Sequence, residues 1–194
     1  MRLLFFYITL FISGCNTITT DTIESKNETQ RIFVESDYLE NVSLFSRKIE
    51  KKADWKEPPN IIICRDSNIS ETRVKFAISF WERLGYSFGE IFKFSCPFDT
   101  QYQGAIYIME PRSGYDFTLL ANTHTVYAEF QDKSKEIIGA WIEIPSKNST
   151  KKLVLEHEIG HALGFQHTSE TGHIMNKELL KGGTKTTGLS SSLH

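Results

Sequence analysis

The chain has 194 residues, 40% of them hydrophobic and 12% aromatic, which suits one modest domain with an ample core; no internal repeat or second domain is visible. Its 22 Lys and Arg are interspersed with 24 Asp and Glu, for a formal net charge of −2. That balance gives no electrostatic reason to propose a nucleic-acid partner, and a monomer is expected.

In chain order, Arg2 supplies a positive start and Leu3 to Ile12 an apolar stretch too short to span a bilayer. Ile12-Ser13-Gly14-Cys15 follows and resembles a bacterial lipobox. Cleavage before Cys15 would remove residues 1–14 as a signal peptide and leave Cys15 for lipidation, and its acyl chains would anchor the protein to a membrane. A plain secretory signal and a membrane-anchor helix are the alternatives, disfavoured by the small residues immediately before a cysteine. The expected location is the bacterial cell envelope, at the outer membrane or cell surface rather than in the cytoplasm.

Residues 15–57 read as a tether and N-terminal segment. Asn16 to Gln30 is polar and suits a solvated tether. Tyr38, Val42, Phe45 and Ile49 then recur at helical spacing, as a short helix against the domain or a remnant pro-segment. Asp37 reads as a solvent-facing acid, and Arg47-Lys48 with Lys51-Lys52 as a solvated basic cluster.

The remainder, residues 58–194, reads as one folded domain. Ile61-Ile62-Ile63-Cys64 suits a buried strand, and Ser70 caps a helix to Leu84 with Val74, Ala77, Ile78, Trp81 and Leu84 on one stripe. Strand, helix and strand suggest a parallel crossover. Tyr86 to Phe98, Ala105 to Met109, Thr125 to Phe130 and Ile138 to Ile144 are β-rich, and Lys151 to Leu163 is a helix.

That last helix carries the chemistry. In His157-Glu158-Ile159-Gly160-His161-Ala162-Leu163-Gly164-Phe165-Gln166-His167, residues four apart share a helix face, so His157 and His161 can share a metal. Glu158 lies roughly 100° around the helix, near enough to hold a water without displacing it. Gly164 can turn left-handed, stop the helix and return His167 as third ligand. Three neutral imidazoles leave Zn²⁺ its full charge and an open position, the arrangement of catalytic rather than structural sites.

This segment resembles the metzincin zinc-binding consensus, and Met175, eight residues beyond His167, makes it most similar to the matrixin branch. The resemblance implies a turn that packs the Met175 thioether under the histidines without binding zinc. Astacins and serralysins are less similar, since Lys177 stands where they place a tyrosine, and Asn176 replaces the tyrosine that often follows the methionine in matrixins. The implied fold is α+β, a twisted mixed five-stranded sheet with two main helices and a small, truncated C-terminal subdomain. The implied activity is zinc-dependent endopeptidase, with Glu158 as general base, one catalytic Zn²⁺, and a protein or peptide substrate extended along the edge strand near Tyr127. Leu153 and Val154 would flank the primed-side pocket. The competing class is a surface lipoprotein that keeps zinc ligands without turnover and acts as a binding or adhesion module; the retained Glu158 argues against it.

In that topology Cys64 and Cys96 sit near the ends of neighbouring parallel strands, so in an exported chain they form either a disulfide or two buried thiols. His124 is expected just before the edge strand, His173 at the surface and His194 at the terminus. No second metal is expected, because neither the paired Asp and His of a structural zinc site nor a calcium loop is evident.

Overall fold

Among the described residues six strands form one mixed sheet, built around the buried apolar run at Asn60–Cys64 (β2). Ile61, Ile62 and Ile63 are all buried, as expected of a strand covered on both faces. Helix α1 (Glu71–Glu82) crosses over from it, its start fixed by Ser70, whose hydroxyl accepts from Arg73 N–H at 3.2 Å. The stripe Val74, Ala77, Ile78 and Trp81 is buried against the sheet. Strand β3 (Ile91–Phe94) then pairs parallel with β2, and β4 (Ala105–Met109) pairs parallel on the other side. Strands β5 (Asn122–Glu129) and β6 (Lys135–Glu143) are antiparallel, and β6 lies parallel to β4. A single 3₁₀ turn at Ser146–Asn148 leads into helix α2 (Val154–Ala162).

The computed structural model describes residues 49–96, 104–178 and 181–191. The segment 1–14, Cys15, Asp37, Tyr38, Val42, Phe45 and His194 lie outside the described residues.

The sheet has one strand more than the five expected. Asp54–Trp55 (β1) pairs parallel with Glu136 and Ile137 of β6, beside the stretch of β6 that β4 occupies. Two residues carry no readable alternation, and β1 is held by non-local contacts: the Trp55 indole N–H donates to Ala162 O at 2.8 Å, and Ile49 and Ala53 are buried. The end of the 15–57 segment therefore packs on the sheet as a short strand rather than as a helix. Strand β5 also begins earlier than expected, at Asn122, so His124 lies inside it.

Cys64 and Cys96 are disulfide-bonded with Cα atoms 5.4 Å apart, which resolves the two alternatives. Parallel pairing of Cys64 with Phe94 brings the strand ends together.

Two features clamp α2. Arg73 on α1 forms a bidentate pair with buried Glu156 (2.8 and 2.6 Å), and the Trp81 indole N–H donates to Glu156 O at 2.8 Å. After α2 the described chain contains no α-helix. Residues 181–191 instead run back along the turn at 172–174, with Ile174 N–H donating to Lys185 O at 2.9 Å and Lys185 N–H to Gly172 O at 2.9 Å. Leu189 ends fully buried in the core, and Ser191 N–H donates to Leu84 O at 3.0 Å.

Candidate metal centre

Helix α2 ends because Gly164 takes φ +95°, a left-handed conformation with no Cβ penalty for glycine. A β-carbon there would also lie 2.3 Å from Ala53 O. The close approach is a short ladder in which Lys52 N–H donates to Gly164 O and Gln166 N–H to Glu50 O, both at 3.0 Å. This ladder turns the chain so that His167 comes back over α2.

His157, His161 and His167 then converge, with Nε2 atoms 3.0 Å (157–161), 3.2 Å (157–167) and 3.2 Å (161–167) apart. Two carbonyls decide what these atoms are. His157 Nδ1 lies 2.7 Å from Ile174 O and His161 Nδ1 2.7 Å from Phe165 O. A carbonyl only accepts, so both Nδ1 atoms carry the proton and both Nε2 atoms present bare lone pairs. Two acceptors 3.0 Å apart cannot bond to each other. A cation between the three nitrogens satisfies them, and a tetrahedral zinc with Zn–N of about 2.0–2.1 Å needs N···N edges of about 3.3 Å, close to those observed.

Glu158 points from the same helix toward β5, where the Thr123 hydroxyl donates to Glu158 Oε2 at 2.5 Å and lies 3.2 Å from the Glu158 backbone oxygen. Two residues on, the Thr125 hydroxyl donates to His161 O at 3.4 Å, so alternate β5 residues face the helix. Burial pushes the Glu158 carboxyl up to about 7, against the opposing Thr123 bond. Burial pulls His157 down to about 4 and His167 to about 3, and holds His161 well below its ordinary value. At neutral pH all three imidazoles are therefore uncharged and ready to ligate.

The sequence model of the matrixins matches residues 66–192, well over half of the chain. The chain belongs to the matrixin family. No curated protein matches it. Matrixins are metallopeptidases, and the family implies zinc; the three converging imidazole nitrogens of this matrixin fit that ion.

Met175 is fully buried against α2: a β-carbon built on Gly160 would fall 2.4 Å from its sulfur. In this matrixin Leu153 adopts φ +66° at the start of α2, and with Val154 it borders a cavity also lined by His157, Ile174, Asn176, Gly182 and Gly183. Tyr127 sits on β5 just past a bulge, opposite Ile137. The other edge of β5 carries no strand among the described residues.

Two histidines differ from expectation. His124 does not precede the edge strand; it stacks on Trp141 (centroids 4.7 Å apart), with Nε2 2.7 Å from Asn122 Nδ2 and 3.4 Å from Glu143 Oε2. His173, expected at the surface, is completely buried. The returning segment 183–187 covers it, a contact that nothing local to His173 announces. Thr123 was also missed, although Thr123 and Thr125 at strand period gave a usable signal.

Proposed function

We propose that this matrixin is a zinc-dependent endopeptidase that cleaves protein substrates at the bacterial cell envelope, to which Cys15 anchors it. One observation carries the catalytic part: three imidazoles with two Nδ1 atoms tied to carbonyls and their Nε2 atoms facing a common point, beside a buried carboxylate on the same helix. His157, His161 and His167 hold the ion. Zinc, when bound, supplies Lewis acidity that acidifies water and polarises the scissile carbonyl.

The chain's own groups do the rest. Glu158 takes the proton of the attacking water and returns it to the leaving amine, work suited to a carboxylate held beside the ligands on the same helix. Thr123 fixes Oε2 of that carboxylate, leaving Oε1 for the water. The free edge of β5 accepts an extended peptide by strand addition around Tyr127, with Leu153 and Val154 lining the pocket on the leaving-group side. The anchoring part rests on the lipobox-like Ile12-Ser13-Gly14-Cys15.

Casein or gelatin cleavage by the purified protein, compared with Glu158→Ala, tests the catalytic reading. Cleavage in the parent and none in a variant that keeps its zinc supports it. A zinc-loaded parent without turnover would make the protein a binding module instead. Changing Cys15 to Ala releases the protein from the membrane fraction if the anchor is correct, and unchanged lipid labelling refutes it.

A further inference from the structure

His173 is not one of the three converging ligands, yet both of its ring nitrogens are committed. Nδ1 lies 2.9 Å from Met175 N and Nε2 3.2 Å from Thr187 O, and no part of the residue is exposed. The partners settle the tautomer, since an amide N–H only donates and a carbonyl only accepts. Nδ1 is the acceptor and Nε2 carries the proton.

The amide that His173 receives belongs to the peptide group joining Ile174 and Met175. The carbonyl of that same group accepts the Nδ1–H of His157 at 2.7 Å. A planar peptide cannot turn its N–H without turning its C=O. His173 thus holds one end of a rigid unit whose other end orients the ligand. Accepting from the N–H also polarises the carbonyl toward His157, which raises the donor strength of the ligand's Nε2. The surrounding backbone bonds brace the same turn: Asn176 N–H and Gly183 N–H donate to His173 O at 3.1 and 3.3 Å, and Thr168 N–H, next to His167, donates to Met175 O at 2.9 Å.

We propose that His173 is a positioning residue of the metal centre, coupling His157 through the Ile174–Met175 peptide to the C-terminal segment at Thr187. This rests on the zinc-peptidase reading only for the identity of the ion. A plain core residue would fill the same space but leave Met175 N–H and Thr187 C=O without these partners inside the protein.

The test uses the full chain stripped with a chelator, with zinc affinity measured by competition against a chromogenic chelator and ligand geometry by the visible spectrum of the cobalt(II)-loaded protein. His173→Leu is expected to weaken zinc binding about 10–100-fold and to alter the cobalt spectrum. His173→Asn, whose Oδ1 can take the place of Nδ1, recovers most of the affinity. Leu189→Ala, which empties part of the core contributed by the same segment, lowers the melting temperature without changing affinity or spectrum below it. If His173→Leu does not fold, His173→Gln replaces it: its longer amide reaches toward Thr187 but not Met175, so zinc binds more weakly than in His173→Asn. Parental affinity and spectrum in His173→Leu, or equal affinities for Asn and Gln, overturn the proposal. Because no arm reads peptide cleavage, an inactive parent counts against the peptidase reading alone.

Discussion

Gly160 and Met175 fit together only because residue 160 has no side chain. A β-carbon there would lie 2.4 Å from the Met175 sulfur, 3.0 Å from its methyl, and 2.7 Å from Cζ2 of Trp81. Gly160 sits between His157 and His161 in sequence, so the turn at 175 reaches the helix backbone within the segment that carries them.

Gly160→Ala is accordingly expected to destabilise the protein, although alanine gains about 1 kcal/mol of helix propensity over glycine. The thioether can move aside, but Trp81 is fully buried and held by its bond to Glu156 O. Overpacking of this kind costs about 1–3 kcal/mol, so the variant should lose on balance. Urea unfolding measures it, and a gain in stability would mean that Trp81 has room to shift.

Met175 itself should tolerate leucine and reject a charge. The site is completely buried, and a near-isosteric apolar swap usually costs under about 1.5 kcal/mol. Met175→Asp places an unpaired carboxylate under the ligands, at a penalty of several kcal/mol, ~3 or more. Zinc content and melting temperature should stay near the parent for leucine and collapse for aspartate. An Asp variant as stable as the parent would remove Met175 from the floor of the site.

What could be read from the sequence follows the range of the interactions. His157 and His161 are fixed by helix geometry and Gly164 by its conformational freedom, so spacing alone brought the triad together. The α1 stripe from Val74 to Trp81 was legible for the same reason. Strand β1 was not, because two residues have no period and Trp55 is held by Ala162, 107 positions away. The ladder of residues 50–52 with 164–166 that aims His167 is likewise non-local. His173 was misplaced at the surface because its cover comes from Thr187 and Lys185.

The pair of Arg73 and Glu156 yields a further expectation. Glu156 is 1% exposed and its carboxylate is satisfied by the guanidinium of Arg73. Removing one partner strands a buried charge, so Arg73→Ala should cost about 3–5 kcal/mol. The double variant Arg73→Met with Glu156→Leu should be much closer to the parent, since apolar replacement of both partners is often neutral. A urea double-mutant cycle gives the coupling; additive single effects would mean that the pair is solvated.

The acid response of the metal-free protein follows from the same burial. Unfolded histidines take up a proton near their ordinary 6.5, whereas folded His157 does so near 4 and His167 near 3, with His161 shifted the same way. Their stability contribution is full above about 6.5 and is lost as pH falls toward the folded values. Glu158 acts oppositely: raised from 4.5 to about 7, it contributes stability that is full below 4.5 and is lost as pH rises through 7. Between these limits the three ligand histidines and Glu158 together give the unfolded chain roughly two more protons than the folded one, and His173, lowered by burial, adds in the same direction. Stability of the chelator-stripped protein should fall by about 2–3 kcal/mol per pH unit on acidification through this window, read from urea midpoints. Glu158→Gln removes the opposing group and should steepen the slope by about 1.4 kcal/mol per pH unit. A slope unchanged by Glu158→Gln would mean that the carboxyl is not buried as described, and a flat profile in the parent would mean that the imidazoles reach solvent.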